Sequence, residues 1–377
     1  MWNHQFLRKI DFRTLPIIIA LMGISLLVIS STTQELVDFG EETFWTPLAK
    51  SQLRWFAIGS IVYIFFAGFD YHKLRSWTWV LYFVTLGSLF GLFFTTPIQN
   101  VHRWYRLPFI GGTLQPSEYA KLIVVLALSW YLEKKEKGAG QKRSVIVATL
   151  IVLVPFLLIL KQPDLGTALV LYPIALVMFY FGGIQKKVVF CMTVGAMAAL
   201  LFVLLMFLGY ISHEEMRPIA TKFLKEYQYE RLSPDTYHQK AAQMALALGG
   251  VWGSGWHKSE FTARQWLPFG YTDSVFPAFG EEFGLVGIFF LIIFFFGLIY
   301  FSFQVTAVAK DRFGRLLSAG ITVYLGVHVI VNMGMMCGFL PITGVPLILV
   351  SYGGSSVLAT MTALGILQSI YSRRFMF

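Results

Sequence analysis

Phe283-Gly284-Leu285-Val286-Gly287-Ile288-Phe289-Phe290-Leu291-Ile292-Ile293-Phe294-Phe295-Phe296-Gly297-Leu298-Ile299-Tyr300 contains no charged side chain and no proline. Eighteen helical residues rise about 27 Å, close to the ~30 Å hydrocarbon core of a bilayer. A helix that is apolar on every face has to be buried, in a large core or in lipid. In lipid it satisfies its own backbone N–H and C=O groups. The composition of the whole chain points the same way. Of 377 residues, 56% are hydrophobic, 17% aromatic and 13% charged, with a mean hydropathy of +0.65. A soluble domain carries about 25% charged residues. A disordered chain, a disulfide scaffold and nearly any soluble globular fold are excluded. Cys191 and Cys337 lie inside apolar runs and imply no disulfide framework.

Ten apolar runs read as spans, near 15–32, 54–69, 76–96, 117–132, 144–160, 166–183, 187–211, 283–305, 316–337 and 351–371. The expected fold is an all-α polytopic membrane protein with ten transmembrane helices, forming one domain over 1–377. The first run follows a basic start, as a signal peptide would. It continues into Ser30-Ser31-Thr32-Thr33-Gln34 without a small-residue cleavage site, and is read as a retained helix.

The net charge of +10, from 30 Lys+Arg against 20 Asp+Glu, is explained by topology. With the N-terminus inside, the inner segments hold 17 Lys and Arg, among them Lys134, Lys135, Lys137, Lys142 and Arg143. The short outer loops hold five: Lys50, Arg54, Arg103, Arg106 and Lys161. That asymmetry places both termini in the cytoplasm, and no nucleic-acid surface is implied. Residues 212–274 become a long extracytoplasmic loop between the seventh and eighth helices. Its length exceeds an ordinary connection. It carries Trp252, Trp256, Trp266, Tyr237 and Tyr271 and is expected to be ordered, with helices over 214–231 and 236–248, against the outer membrane surface.

No phosphate-binding G-x-x-x-x-G-K-[ST] and no zinc-type H-E-x-x-H occurs, and the seven histidines show no ligand spacing. Gly249-Gly250-Val251-Trp252-Gly253-Ser254-Gly255 is either a flexible turn or a close approach to a ligand. Ionisable residues in or beside spans are costly and default to functional hypotheses. Gln115-Pro116-Ser117-Glu118-Tyr119-Ala120-Lys121 opens the fourth span, with Pro116 suited to a first helical turn. Glu118 and Lys121 share one face, as a local ion pair or as site residues. Asp164, in Lys161-Gln162-Pro163-Asp164-Leu165-Gly166, either caps the sixth helix or joins a site. Arg103-Trp104 is a snorkelling interfacial pair or an Arg poised for phosphate. Asp273 ends the long loop, with Glu281 and Glu282 close behind. It is either an N-cap or a partly desolvated general base. The uncharged loop around Leu340-Pro341-Ile342-Thr343-Gly344-Val345-Pro346 and Ser351-Tyr352-Gly353-Gly354-Ser355-Ser356 reads as irregular backbone at an outer cavity. Its small residues equally permit close helix packing.

In this order, these stretches resemble the SEDS family (shape, elongation, division and sporulation), which includes RodA, FtsW and SpoVE. The matching segments run from Arg103-Trp104 through Gln162-Pro163-Asp164-Leu165-Gly166-Thr167-Ala168 and Leu267-Pro268-x-x-x-Thr272-Asp273 to Ser351-Tyr352-Gly353-Gly354-Ser355-Ser356. Short tails and compact length look like the elongation branch, RodA. The sequence departs from the family pattern in places. Thr-Asp-Phe-Ile-Phe is Thr272-Asp273-Ser274-Val275-Phe276, one Arg is replaced near Tyr229, and Ile348 stands for a proline.

The resemblance implies a peptidoglycan glycosyltransferase that polymerises lipid II during cell elongation, at the outer face of the bacterial cytoplasmic membrane. Undecaprenyl pyrophosphate is the leaving group, and a class B penicillin-binding protein (a transpeptidase) is the implied partner. Asp273 matches the family's essential loop aspartate, and Glu118, Lys121 and Asp164 match its cavity-lining residues. Asp273 is then the base in an inverting displacement. Arg103, Trp104, Glu118, Lys121, Asp164, Glu281 and Ser351 are the candidate substrate or cavity residues. Lys121, Arg103 or a divalent cation, magnesium or manganese, would meet the departing pyrophosphate. Glu118, Asp164 and Asp273 are the residues that would hold such a cation. The rival readings are a flippase for lipid-linked precursor and a non-catalytic scaffold. No internal inverted repeat supports transport.

Overall fold

The structure, a computed structural model, describes residues 2, 4–34, 44–97, 101–107, 112–207, 209–221, 229, 233 and 236–374. It is built almost wholly of helices: α1 (Thr14–Thr32), α2 (Pro47–Gly68), α3 (Leu74–Gly91), α4 (Pro116–Lys134), α5 (Lys142–Lys161), α6 (Leu165–Gly182), α7 (Lys186–Phe207), α8 (His213–Ala220), α9 (Tyr237–Gly249), α10 (Glu260–Ala263), α11 (Val275–Val308), α12 (Arg312–Met336) and α13 (Gly354–Ser372). A short antiparallel ribbon, β1 (Tyr105–Leu107) and β2 (Gly112–Leu114), pairs Tyr105 with Leu114. The helices begin where the sequence supplies caps. Thr46 accepts from the Ala49 N–H ahead of Pro47, and Asp311 accepts from Gly314.

Among the described residues, seven helices are long and apolar enough to cross a membrane: α1, α3 with its flanking turns, α5, α6, α7, α11 and α12. α2, α4 and α13 match three further expected runs in length and position but are less apolar. They hold polar side chains that the bundle interior satisfies. Gln52 of α2 and Gln368 of α13 are both buried and hydrogen-bonded to other segments. α13 lies along α2, where Gly59 and Gly365 let the helices approach; a Cβ on Gly365 would stand 2.7 Å from the Tyr63 carbonyl. α12 is largely buried between α4, α6 and α11. α7 stands at the edge against α6, with none of its apolar window buried.

α11 is broken at Gly284 (φ 63°, ψ −165°), so its first nine residues form a separate, almost fully buried half-helix. A break frees backbone groups that lipid cannot satisfy. The glycine cluster satisfies them. Leu285 N donates to Gly250 O at 2.9 Å and Val286 N to Val251 O at 3.1 Å. In return Ser254 N and Gly255 N donate to Glu281 O and Glu282 O, each at 2.9 Å. Side chains at Gly249 or Gly253 would collide with this backbone. The cluster is therefore the hydrogen-bonding partner of a broken helix. In the long loop, α9 matches the expected helix at 236–248. α8 covers the start of the one expected at 214–231, whose remainder lies largely outside the described residues.

Candidate active site

Residues 269–274 form a tight turn, in which Thr272 N and Ser274 N both donate to Phe269 O. Asp273 sits on it, half-buried, just before Ser274, the N-cap position of α11. Asp273 is thus not the cap of that helix. Its backbone is fixed from three directions. Tyr352 N donates to the Tyr271 carbonyl at 2.8 Å. Ser351 Oγ donates to the Thr272 carbonyl at 2.7 Å. Asn332 Nδ2 donates to the Asp273 carbonyl at 3.0 Å. Three consecutive carbonyls are held by three different residues. Ser351 is fixed in turn, since its Oγ accepts from Leu347 N at 2.8 Å.

The loop between α12 and α13 supplies the wall facing Asp273. Gly344 adopts φ +75°, and a Cβ built there would lie 3.3 Å from Asp273 Oδ2. Glycine serves both the left-handed backbone and the approach of the carboxylate. A cavity of about 260 Å³ opens beside the turn, with Thr32, Thr262, Gln265, Phe269 and Tyr271 in its lining.

The second cluster lies inside the bundle. Lys121 Nζ donates to Glu118 Oε1 at 2.7 Å and to His328 Nε2 at 2.8 Å. His328 Nδ1 lies 3.2 Å from the Pro346 carbonyl. A neutral ring satisfies both contacts, with its proton on Nδ1 donated to Pro346 and Nε2 accepting from the ammonium. Lys121 is fully buried. Meeting a ligand would require breaking this pair, and leaving a buried charge alone costs about 3–5 kcal/mol. The expected pyrophosphate contact at Lys121 is not supported by this geometry.

The remaining candidates have definite places. Asp164 does cap α6, accepting from Thr167 N at 3.3 Å, and its other oxygen accepts from Gln115 Nε2 and Ser117 Oγ, both at 3.1 Å. Arg103 donates to the carbonyls of Gln162 and Pro163, holding the turn ahead of Asp164 while staying partly exposed. Trp104 Nε1 donates to Gln115 Oε1 at 3.2 Å. Glu281 is spent on structure. It accepts from Phe261 N at 2.9 Å, Thr262 N at 3.0 Å and the Thr262 hydroxyl, capping the short α10. Glu282 accepts from the Ser31 hydroxyl and from His257 N at 3.3 Å.

Among the described residues, no three of His, Cys, Asp and Glu converge where a metal would sit. Glu118 Oε1 is taken by Lys121, and both Asp164 oxygens by neutral donors. Glu118 Oε2 is buried and without a partner among the described residues. His328 and Asn332 were not singled out from the sequence. Their signal was a polar pair four residues apart in an apolar span.

Comparison with known proteins adds an independent line. The chain is 30% identical to peptidoglycan glycosyltransferase MrdB of Escherichia coli K12, over 97% of this chain and 95% of that one. It is 29% identical to the probable peptidoglycan glycosyltransferase FtsW of Trichlorobacter lovleyi, over 97% and 93%. A solved chain from work on the structural coordination of polymerization and crosslinking by a peptidoglycan synthase complex superposes with a TM-score of 0.77, at 25% identity over 98% and 99%. Thermus thermophilus RodA shares the fold with a TM-score of 0.70, at 24% identity over 97% and 98%. The FtsW/RodA/SpoVE family model, described as cell cycle protein, matches residues 12–374, and the chain belongs to that family.

Proposed function

We propose that this protein is a peptidoglycan glycosyltransferase that polymerises lipid II at the outer face of the bacterial cytoplasmic membrane, in cell elongation. The observation that carries the reading is the pinned backbone of Asp273, with its carboxylate facing Gly344. It is joined by the names of the relatives, MrdB and FtsW glycosyltransferases.

Asp273 is the general base. It takes the proton from a sugar 4-hydroxyl, a poor nucleophile at neutral pH, as that oxygen attacks the donor's anomeric carbon. A base within hydrogen-bond reach contributes about 10²–10⁴-fold. An α-linked donor becomes a β-linked product in one displacement, and undecaprenyl pyrophosphate leaves. Arg103 is the better-placed cation for that group, being partly exposed with N–H groups beyond those on Gln162 and Pro163. Glu118, Lys121 and Asp164 shape the site from inside. Ser351 positions Asp273. The cavity beside Tyr271, with hydroxyl, amide and aromatic groups, suits a sugar ring.

Ten spans in one membrane domain, both termini cytoplasmic and a class B penicillin-binding protein as partner complete the proposal. α2, α4 and α13, which coincide with three of the apolar runs of the sequence, supply the remaining spans of this reading. A synthase complex among the similar structures supports the partner.

The test is polymerisation of purified lipid II by the protein in proteoliposomes, with and without its transpeptidase partner. Glycan strands are expected. Lipid II moved across the bilayer without polymer would overturn the reading in favour of a flippase.

A further inference from the structure

Asn332 is completely buried in α12, one helical turn beyond His328. Its Nδ2 makes two hydrogen bonds, to Asp273 O at 3.0 Å and to Val345 O at 2.7 Å. Turning the amide over would set its oxygen against two carbonyl oxygens, so the donor side is fixed. That orientation has a cost. Asn332 Oδ1 is buried and without a partner among the described residues, and an orphaned acceptor costs about 1–3 kcal/mol. An arrangement that served stability alone would have no reason to strand that oxygen.

The two carbonyls belong to segments that Tyr352 N and Ser351 Oγ also tie together, and Asn332 adds a tie from α12 at Asp273 itself. One is Asp273, at the end of the long loop; the other is Val345, beside Gly344, whose Cα faces the Asp273 carboxylate. His328 holds the next carbonyl, Pro346, and Lys121 as well. One turn of α12 therefore touches the Asp273 turn, the 345–346 wall and, through Lys121, the buried ion pair.

We propose that Asn332 is a positioning residue: its amide sets the distance between the Asp273 carboxylate and the 344–346 wall, and thereby the reach of the base. The inference rests on the reading of Asp273 as base. A misplacement of about 1 Å can cost 10²-fold in rate. The variant Asn332→Leu keeps the bulk, removes both donor bonds and removes the orphaned oxygen. It is expected to lower kcat by about 10²-fold while KM for lipid II stays within about twofold, the signature of an interaction felt only in the transition state.

The experiment measures kcat, KM and melting temperature for the wild type, Asn332→Leu and Asn332→Ala, in complex with the transpeptidase partner. It adds hydrogen exchange of segments 268–276 and 343–352. Faster exchange confined to these segments, with kcat lost and KM kept, is the expected result. A folded variant with wild-type kcat, or KM rising in step with falling kcat, overturns the proposal. If the wild type makes no polymer, the activity reading fails by itself. Exchange then decides alone: unchanged exchange in the two segments overturns the positioning role, and a local increase sustains it.

Discussion

The two ends of the bundle are built from different chemistry. At the end that carries Arg13, Arg75 and Arg312, opposite charges pair. Arg75 bridges Glu133 and Asp311, each at 2.7 Å; Arg312 pairs with Glu136 at 2.6 Å; Arg13 pairs with Asp11 at 2.7 Å. At the other end, neutral donors grip the consecutive backbone carbonyls of Tyr271, Thr272 and Asp273. The larger cavity, about 360 Å³, lies at the ion-paired end, between Asp70, His72, Asp311 and Arg373. Charge pairs set orientation and tie helices together, whereas pinned carbonyls hold one group to a fixed place, which is what catalysis requires.

The comparison breaks first at Gly344. Below loss of Asp273 itself, the largest effect is expected from Gly344→Ala, which combines a left-handed backbone with a Cβ 3.3 Å from the Asp273 carboxylate. Rate should fall about 10²-fold. Gly338→Ala, at φ +87° but beside Gln243, imposes similar backbone strain away from Asp273. In a folded Gly338→Ala, polymerisation close to wild type would separate the two effects; equal losses in both variants would show that strain, not the carboxylate, is at issue.

Next comes the buried pair. Lys121→Met leaves the Glu118 carboxylate alone, and unfolding stability should drop by about 3–5 kcal/mol. Adding Glu118→Gln should recover most of it. Chemical denaturation of both variants checks this, and a double variant as weak as the single one would deny the coupling.

Smaller effects belong to the ion-paired end. Glu136 is largely exposed, and Glu136→Gln should cost under about 1 kcal/mol and leave polymerisation unchanged. Asp70 gives that end its acid sensitivity. Burial raises its pKa, but hydrogen bonds from His72 and the charges of His72 and Arg373 outweigh burial and hold it below the usual carboxylate range. A lowered folded pKa gives stability that is present above the unfolded value of about 3.9 and lost as pH falls through the folded one. Melting curves of the wild type and Asp70→Asn should therefore converge as pH drops below about 4; a constant gap would remove Asp70 from the acid response.

Much of this was legible in the chain. The apolar runs placed the long helices, Pro116 marked the start of α4, and Asp164 and Asp273 were found by their position at span boundaries. The broken α11 was not found, because Gly284 acts through partners at 250–255 that local pattern cannot pair with it. Glu281 looked like a site residue because its partners, Phe261 and Thr262, sit in a helix of four residues that has no apolar period. His328 and Asn332 escaped for the same reason. Their partners lie 207 and 59 residues away, and only the folded bundle brings them together.

The most direct measurement compares Asp273→Asn with the wild type for lipid II binding and for polymerisation, in the partner complex at matched melting temperature. The account predicts unchanged binding and a rate loss of at least about 10²-fold, because the isosteric amide keeps the turn and cannot take the proton. Polymer made at the wild-type rate by the folded variant would contradict it.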